Sequence, residues 1–500
     1  MRRSMATLLA VLLALVGLSG TAAAAPAAGF STTYQSIPGD GGDPLGAFVI
    51  RPTGRGDGPF PLLVMPSSWG ALDIEYVGAA AKLAYQSGYV VVSYTARGFW
   101  DSAGQIEVAG PKDVADASKV IDWALANTNA DPSRIGMAGI SYGAGISLLT
   151  AAADPRVRAA VSLSGWSDLA ASLYPNQTVS AAGVDLLLAA GHLTGRPGPD
   201  LQNAEKAYLA GKFADALPIA PVRSAATKVD AINQHGTAVM MANAWEDSLF
   251  PPSQLVDFFG KLTGPKRLML TPGDHATPEV FGAAGLPNEI WDAADRWFDH
   301  YLLGVDNGID REHSIQVKPA NGGGWQGSES WPWQQQTIPL SSNKFAAGVD
   351  TVADSGVVFV SGILQGYLGI PNGVSMPLVS RAAAGVWSGP VATQGFEVNG
   401  TPHAQLTVTP SAADTTLFAY LYDVGPLGLG SLITHKPYSV LGATPGVART
   451  IDLGLEPIAW NVPAGHHLAL VVDTVDPRYL SSSKLGSTVS LSGTLTVPVS

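Results

Sequence analysis

The chain has 500 residues, no cysteine, and a formal net charge of −12 at pH 7, from 28 Lys and Arg against 40 Asp and Glu. Such an acidic surface, with no local basic patch, disfavours nucleic acid and other polyanionic partners. Without cysteine pairs or a His-Glu-x-x-His spacing, neither disulfides nor a zinc site are expected, and the length allows two or three domains. In chain order, Met1-Arg2-Arg3, an apolar stretch from about Met5 to Leu18 and the run Thr21 to Ala25 form the three regions of a signal peptide. Cleavage after Ala24 and a secreted mature chain are the expectation, with residues 1–24 removed. No later apolar run is long enough to span a bilayer.

From Phe60 to about Gly308 short apolar runs alternate with helical stretches: Pro61 to Met65, Tyr89 to Tyr94, Ile135 to Ile140, Ala159 to Leu163, Ala238 to Ala242 and Arg267 to Leu270. This alternation predicts a mostly parallel, doubly wound α/β sheet within residues 30–310. Between about 168 and 231 the alternation lapses into Ala- and Leu-rich helical sequence broken by Gly191, Gly195, Pro197 and Pro199, read as a helical cap insertion over the site. A Pro- and Gly-rich connection is placed at 311–340. From 341 to 500 short alternating runs such as Gln405 to Val408 and Phe418 to Tyr422 predict an all-β sandwich or jelly roll.

Gly139-Ile140-Ser141-Tyr142-Gly143 has the Gly-x-Ser-x-Gly form of a nucleophile elbow, a weak pattern by itself in a chain with 57 glycines. Its context is stronger, because an apolar run precedes it and a helix of small residues follows. A serine hydroxyl needs a histidine base and an acid that fixes the histidine's tautomer. In the order Ser, acid, His, the loop after Val239 to Ala242 offers Trp245-Glu246-Asp247, and the loop after Arg267 to Leu270 offers Gly273-Asp274-His275. Asp247 is the preferred acid, with Glu246 and Asp274 as rivals; Asp274, next to His275, is better placed to cap the loop than to meet the ring.

These residues, with Arg97-Gly98, Ser102-Ala103-Gly104 and the helix Trp297 to Gly304, resemble the X-Pro dipeptidyl-peptidase and cocaine-esterase group of serine α/β-hydrolases. The runs Leu417 to Gly425 and Pro463 to His467 resemble that group's jelly-roll domain, of the galactose-binding-like kind. The resemblance implies Ser141 as nucleophile, Asp247 as acid and His275 as base, with no cofactor. It also places a tyrosine hydroxyl in the oxyanion hole where this chain reads Pro66-Ser67-Ser68-Trp69-Gly70. Trp69 is thus the candidate donor beside the Tyr142 backbone N–H, against the reading that it only walls the pocket.

Substrate is read from the surroundings. Relatives that grip a free amino group need carboxylates near the nucleophile, yet Asp247 is followed by Ser248-Leu249-Phe250. Asp168 could supply one, though a helix or loop cap is the plainer role. Phe99, Trp100, Trp166 and Trp245 fall on loops near the expected site and suggest an aromatic-lined pocket for an apolar or aryl ester. The expectation is a secreted esterase acting on a small ester, with an X-prolyl dipeptidyl peptidase as runner-up. A non-catalytic polymer- or surface-binding protein is the alternative of another class. Oligomeric state is not legible.

Overall fold

The computed structural model describes residues 28–332 and 334–500; the expected signal peptide lies outside them. Ten strands form one sheet: β1 (Gly29–Pro38), β2 (Pro44–Thr53), β3 (Phe60–Pro66), β4 (Val90–Tyr94), β5 (Ala130–Ile140), β6 (Val157–Leu163), β7 (Ala238–Ala244), β8 (Lys266–Thr271), β9 (Ile315–Val317) and β10 (Gln326–Ser328). Their order is β1-β2-β4-β3-β5-β6-β7-β8-β9-β10. Strands from β4 to β9 run parallel, while β1, β2 and β10 pair antiparallel at the edges.

The central strands are apolar on both faces because helices cover both. On one side lie Leu83 of Val77–Ser87 and Trp291, Trp297 and Phe298 of Glu289–Leu303. On the other lie Val120 and Ile121 of Pro111–Asn127, Ile146 and Leu149 of Tyr142–Ala153, and Leu255 and Phe258 of Ser253–Lys261. Between β6 and β7 the chain leaves the sheet for the helices Leu169–Leu173, Ala181–Thr194, Pro199–Leu209 and Val229–His235.

The carboxyl-terminal domain is a sandwich of two antiparallel sheets, of four and five strands, with a two-stranded ribbon. Its first strand, Gln335–Ala346, pairs with its last, Thr488–Pro498. Two expectations need correction. The stretch 311–340 is no mere connection: β9 and β10 extend the first sheet, and the second domain's opening strand begins within it. Nor is that domain wholly β, since Val360–Leu368 is a helix. Its Gly362 and Gly366 pack against the loop after β8 while Val360, Ile363 and Leu368 are exposed, an arrangement that a strand-periodicity reading does not anticipate.

Candidate active site

Ser141 stands between β5 and the helix Tyr142–Ala153 with φ 56° and ψ −115°, a strained backbone that lifts its hydroxyl clear of the turn. Both flanking glycines are forced by close packing. A Cβ on Gly139 would strike the Gly143 backbone, and one on Gly143 would strike the Pro66 carbonyl. The Tyr142 N–H opens the helix and has no intrahelical acceptor.

The loop after β7 brings up Asp247. Its Oδ1 accepts from the N–H groups of Leu249 (2.9 Å) and Phe250 (2.7 Å), a local turn that explains why an aspartate stands there. The loop after β8 brings up His275, whose Nδ1 lies 2.9 Å from Asp247 Oδ2 and whose Nε2 lies 2.8 Å from Ser141 Oγ. All three residues are buried. Asp274 does not meet the ring. One of its oxygens, Oδ1, accepts from both the His275 N–H (2.7 Å) and the Ser248 N–H (2.8 Å), tying the acid and base loops together. The imidazole's hydrogen-bond partners among the described residues are Asp247 and Ser141, not Glu246; burial, with Asp274 nearby, pushes the Glu246 carboxyl up to about 8. Behind His275, Ser164 Oγ accepts from the Ala276 N–H (3.0 Å) and donates to Glu279 Oε2 (3.1 Å). Burial pushes the Glu279 carboxyl up to about 8.

Two family descriptions match in tandem: X-Pro dipeptidyl-peptidase (S15 family) over residues 40–277, and the X-Pro dipeptidyl-peptidase C-terminal non-catalytic domain over 307–494. The chain belongs to the S15 family of serine hydrolases. A Bacillus anthracis relative bearing the name Xaa-Pro dipeptidyl-peptidase is 24% identical over 272 residues, which is 51% of this chain and 44% of the relative. The match thus spans less than half of that relative's length. Among solved structures, an α-amino acid ester hydrolase aligns with TM-score 0.71 at 15% identity, covering 96% of this chain and 98% of that one. A CocE/NonD family hydrolase from Staphylococcus aureus aligns with TM-score 0.70 at 12% identity, covering 94% of each. At these identities the likeness is one of fold.

In this S15 hydrolase Ser141 opens onto a cavity beneath the cap, walled by Trp69, Tyr142, Trp166 and Phe250 near the serine and by leucines from the cap helices. Trp166 fits there because Gly145 gives it room; a Cβ on Gly145 would sit 2.6 Å from its ring.

The structure places five of the aromatic and acidic residues singled out in the sequence as follows. The Trp69 indole N–H donates to the Leu187 carbonyl at 2.9 Å, so the indole is committed to the cap and is no oxyanion donor. Asp168 caps its own helix, accepting from the Ala171 N–H at 3.0 Å, and lines no part of the cavity. Phe99 is buried behind Trp69, with ring centroids 5.0 Å apart, and Trp100 is exposed with its N–H on the Gly70 carbonyl (2.7 Å). Trp245 faces away from the cavity and donates to the Lys318 carbonyl at 2.7 Å, pinning the chain that leaves β9.

Residues the sequence did not flag brace the site from two directions. Glu75 accepts from the Ser68 N–H (2.7 Å) and hydroxyl (2.6 Å), fixing the loop after β3. From the second domain, buried Arg478 donates Nη2 to the Ser248 carbonyl (3.3 Å) and Nη1 to the Ser355 carbonyl (3.1 Å). The helix Val360–Leu368 rests on the His275 loop through Gly362 and Gly366: a Cβ on Gly362 would lie 2.7 Å from Asp274 Cβ, and one on Gly366 would lie 2.7 Å from Gly273 N. A glycine pair spaced by four on a helix was the available signal. Only the fold shows what it faces.

Proposed function

We propose that the protein is an exported serine esterase that cleaves carboxylic esters through an acyl-enzyme. The observation that carries the reading is the hydrogen-bonded line Ser141 Oγ, His275 Nε2, His275 Nδ1, Asp247 Oδ2, with its serine opening on an almost wholly apolar cavity. Ser141 Oγ attacks the ester carbonyl carbon as its proton passes to His275 Nε2, and Asp247 stabilises the imidazolium. The carbonyl–alkoxy bond then breaks and the same proton leaves with the alcohol. Water repeats the sequence on the acyl-enzyme, giving up one proton to His275 and releasing the acid with Ser141 restored.

Two main-chain N–H groups suit the oxyanion: that of Tyr142, and that of Trp69, which donates to no acceptor among the described residues. Trp69 enters this reading through its backbone, its ring serving as a wall.

The second reading is an X-prolyl dipeptidyl peptidase. The one feature favouring it is Glu205, a carboxylate on the cavity wall that could face an ammonium. Its two oxygens lie 3.0 Å from His192 Nε2, which already occupies them. A purely binding role leaves the three-residue line without a purpose.

The test is labelling by a fluorophosphonate probe together with turnover of p-nitrophenyl acetate and a Gly-Pro anilide. Labelling that Ser141→Ala abolishes, with the ester turned over faster than the anilide, is expected. Absence of labelling, or labelling that survives in Ser141→Ala, overturns the hydrolase reading; faster turnover of the anilide replaces the esterase with the peptidase.

A further inference from the structure

We infer that the cavity between Ser141 and the cap is an acyl-chain site that selects aliphatic acyl groups of medium length; this rests on the esterase reading above. The cavity is about 180 Å³, and Ser141 and Tyr142 line it whereas His275 and Asp247 do not. The leaving oxygen must lie within hydrogen-bond reach of His275 Nε2 to receive its proton. The alcohol therefore departs on the His275 side, and the cavity takes the acyl half.

Wall chemistry defines what that half is. Much of the wall is aliphatic, with Leu169, Leu173, Leu188, Leu201, Leu217 and Ile219. A second aromatic group on the cap, Tyr174, Phe213 and Tyr208, packs ring to ring at 6.4 and 6.0 Å, so the apolar lining continues well beyond the rings beside the serine. A short aryl acyl group would fill only the part next to Ser141. An extended alkyl chain would cover the leucines as well.

Most polar handles along the wall are already engaged by described residues, the Tyr174 hydroxyl excepted. The indole N–H groups of Trp69 and Trp166 donate to the Leu187 and Arg223 carbonyls at 2.9 and 2.8 Å. The Tyr142 hydroxyl accepts from the Ala109 N–H (2.6 Å) and donates to Asp113 Oδ2 (3.0 Å). The Tyr208 hydroxyl donates to Asp185 Oδ1 at 2.8 Å, and Glu205 faces His192. A substrate amide or ammonium entering here would lose most of its hydration without replacement, whereas a methylene loses nothing.

The experiment measures kcat/KM for p-nitrophenyl acetate, butyrate, hexanoate, octanoate and benzoate, with wild type, Leu188→Trp and Glu205→Gln. Each methylene that the cavity buries adds up to about fourfold. The expected result is a rise of at least ~10-fold from acetate to hexanoate, with hexanoate above benzoate. Leu188→Trp, which puts an indole in place of a lining leucine, should cut the hexanoate-to-acetate ratio by ~10-fold or more, and Glu205→Gln should keep the wild-type ratio. The rate of fluorophosphonate labelling at Ser141 reports whether each variant retains its fold.

A flat or falling chain-length series, a preference for benzoate, or a wild-type ratio in a labelled Leu188→Trp protein overturns the inference and leaves the esterase reading standing. An unlabelled Ser141 in the wild type brings down both. Turnover of a Gly-Pro anilide that collapses in Glu205→Gln would reassign the cavity to an ammonium-bearing substrate.

Discussion

Ser141 divides two unlike regions. On its His275 side, hydrogen bonds fix the loops: Asp247 by two loop amides, the acid and base loops to each other by Asp274 Oδ1, and the Ser248 carbonyl by Arg478 from the second domain. On its cavity side the wall is held by apolar contact from a cap, and few polar groups are left over. Hydrogen bonds are directional, so the first region specifies positions closely, as proton transfer requires. Dispersion and burial are not directional, so the second tolerates change while it selects by volume and polarity. The second domain reaches both regions: the Arg478 side chain braces the catalytic loops, while the Arg478 carbonyl accepts from the Ala182 N–H and the Leu480 N–H donates to the Val179 carbonyl, each at 3.0 Å, on the cap.

The sharpest break is at the centre of the hydrogen-bonded side. Asp247→Asn keeps the shape but cannot hold the imidazole in the required tautomer, and kcat should fall by about 10⁴-fold with KM little changed. Pre-steady-state release of p-nitrophenol would show the loss in the acylation burst itself.

Next come the braces from the second domain. In Gly362→Ala the new methyl meets Asp274 Cβ at 2.7 Å and the Gly273 carbonyl at 2.9 Å, neither of which can swing aside as the end of a long side chain could. His275 must shift with its loop, and a displacement approaching 1 Å should cost kcat about 10²-fold while the acyl-chain preference keeps its wild-type order. Arg478→Met removes the donor to the Ser248 and Ser355 carbonyls, and a fall of about 10-fold in kcat is expected, partly restored by Arg478→Lys. If either variant changed KM and chain preference instead, the division between the two sides would fail.

A smaller effect, on stability, comes from the buried acid behind His275. Burial raises the Glu279 carboxyl from 4.5 to about 8, so the folded protein holds a proton that the unfolded chain releases. Stability from this group is full below its ordinary value and is lost as pH rises through about 8. Glu279→Gln keeps the acceptor for Ser164 without the charge. It should be more stable than wild type by about 2 kcal/mol at the alkaline end and nearly equal to it at acid pH, read by urea unfolding across that range.

The same contrast explains what was legible in the sequence. The elbow and the carboxylate and histidine loops lie at ends of apolar runs, and strand-then-turn patterns report such places directly. Trp69 and Trp245 were misread for a shared reason: each has an indole N–H that sequence position leaves free, and each finds a nearer partner in the fold, the Leu187 and Lys318 carbonyls. Asp168 takes the helix cap its position favoured, on the Ala171 N–H. Arg478 and the glycine face of Val360–Leu368 act across more than eighty residues of chain, where no local pattern carries information. The edge strands β9 and β10 were hidden by brevity, at three residues each.

The smallest expected change lies in the cap. Leu173 lines the cavity and is only partly buried, so Leu173→Ala enlarges an existing space instead of opening a void in a packed core. Stability should drop by about 1 kcal/mol or less, below the usual cost of a buried leucine. With fewer carbons against the chain, hexanoate should lose about two- to fourfold in kcat/KM, and acetate, too short to reach the leucines, should lose less. The pH profile of kcat/KM, which reports the free enzyme's acid and base, should superimpose on that of wild type. A shifted profile would mean that the apolar wall also sets the position of His275, and the two sides of Ser141 would then be one.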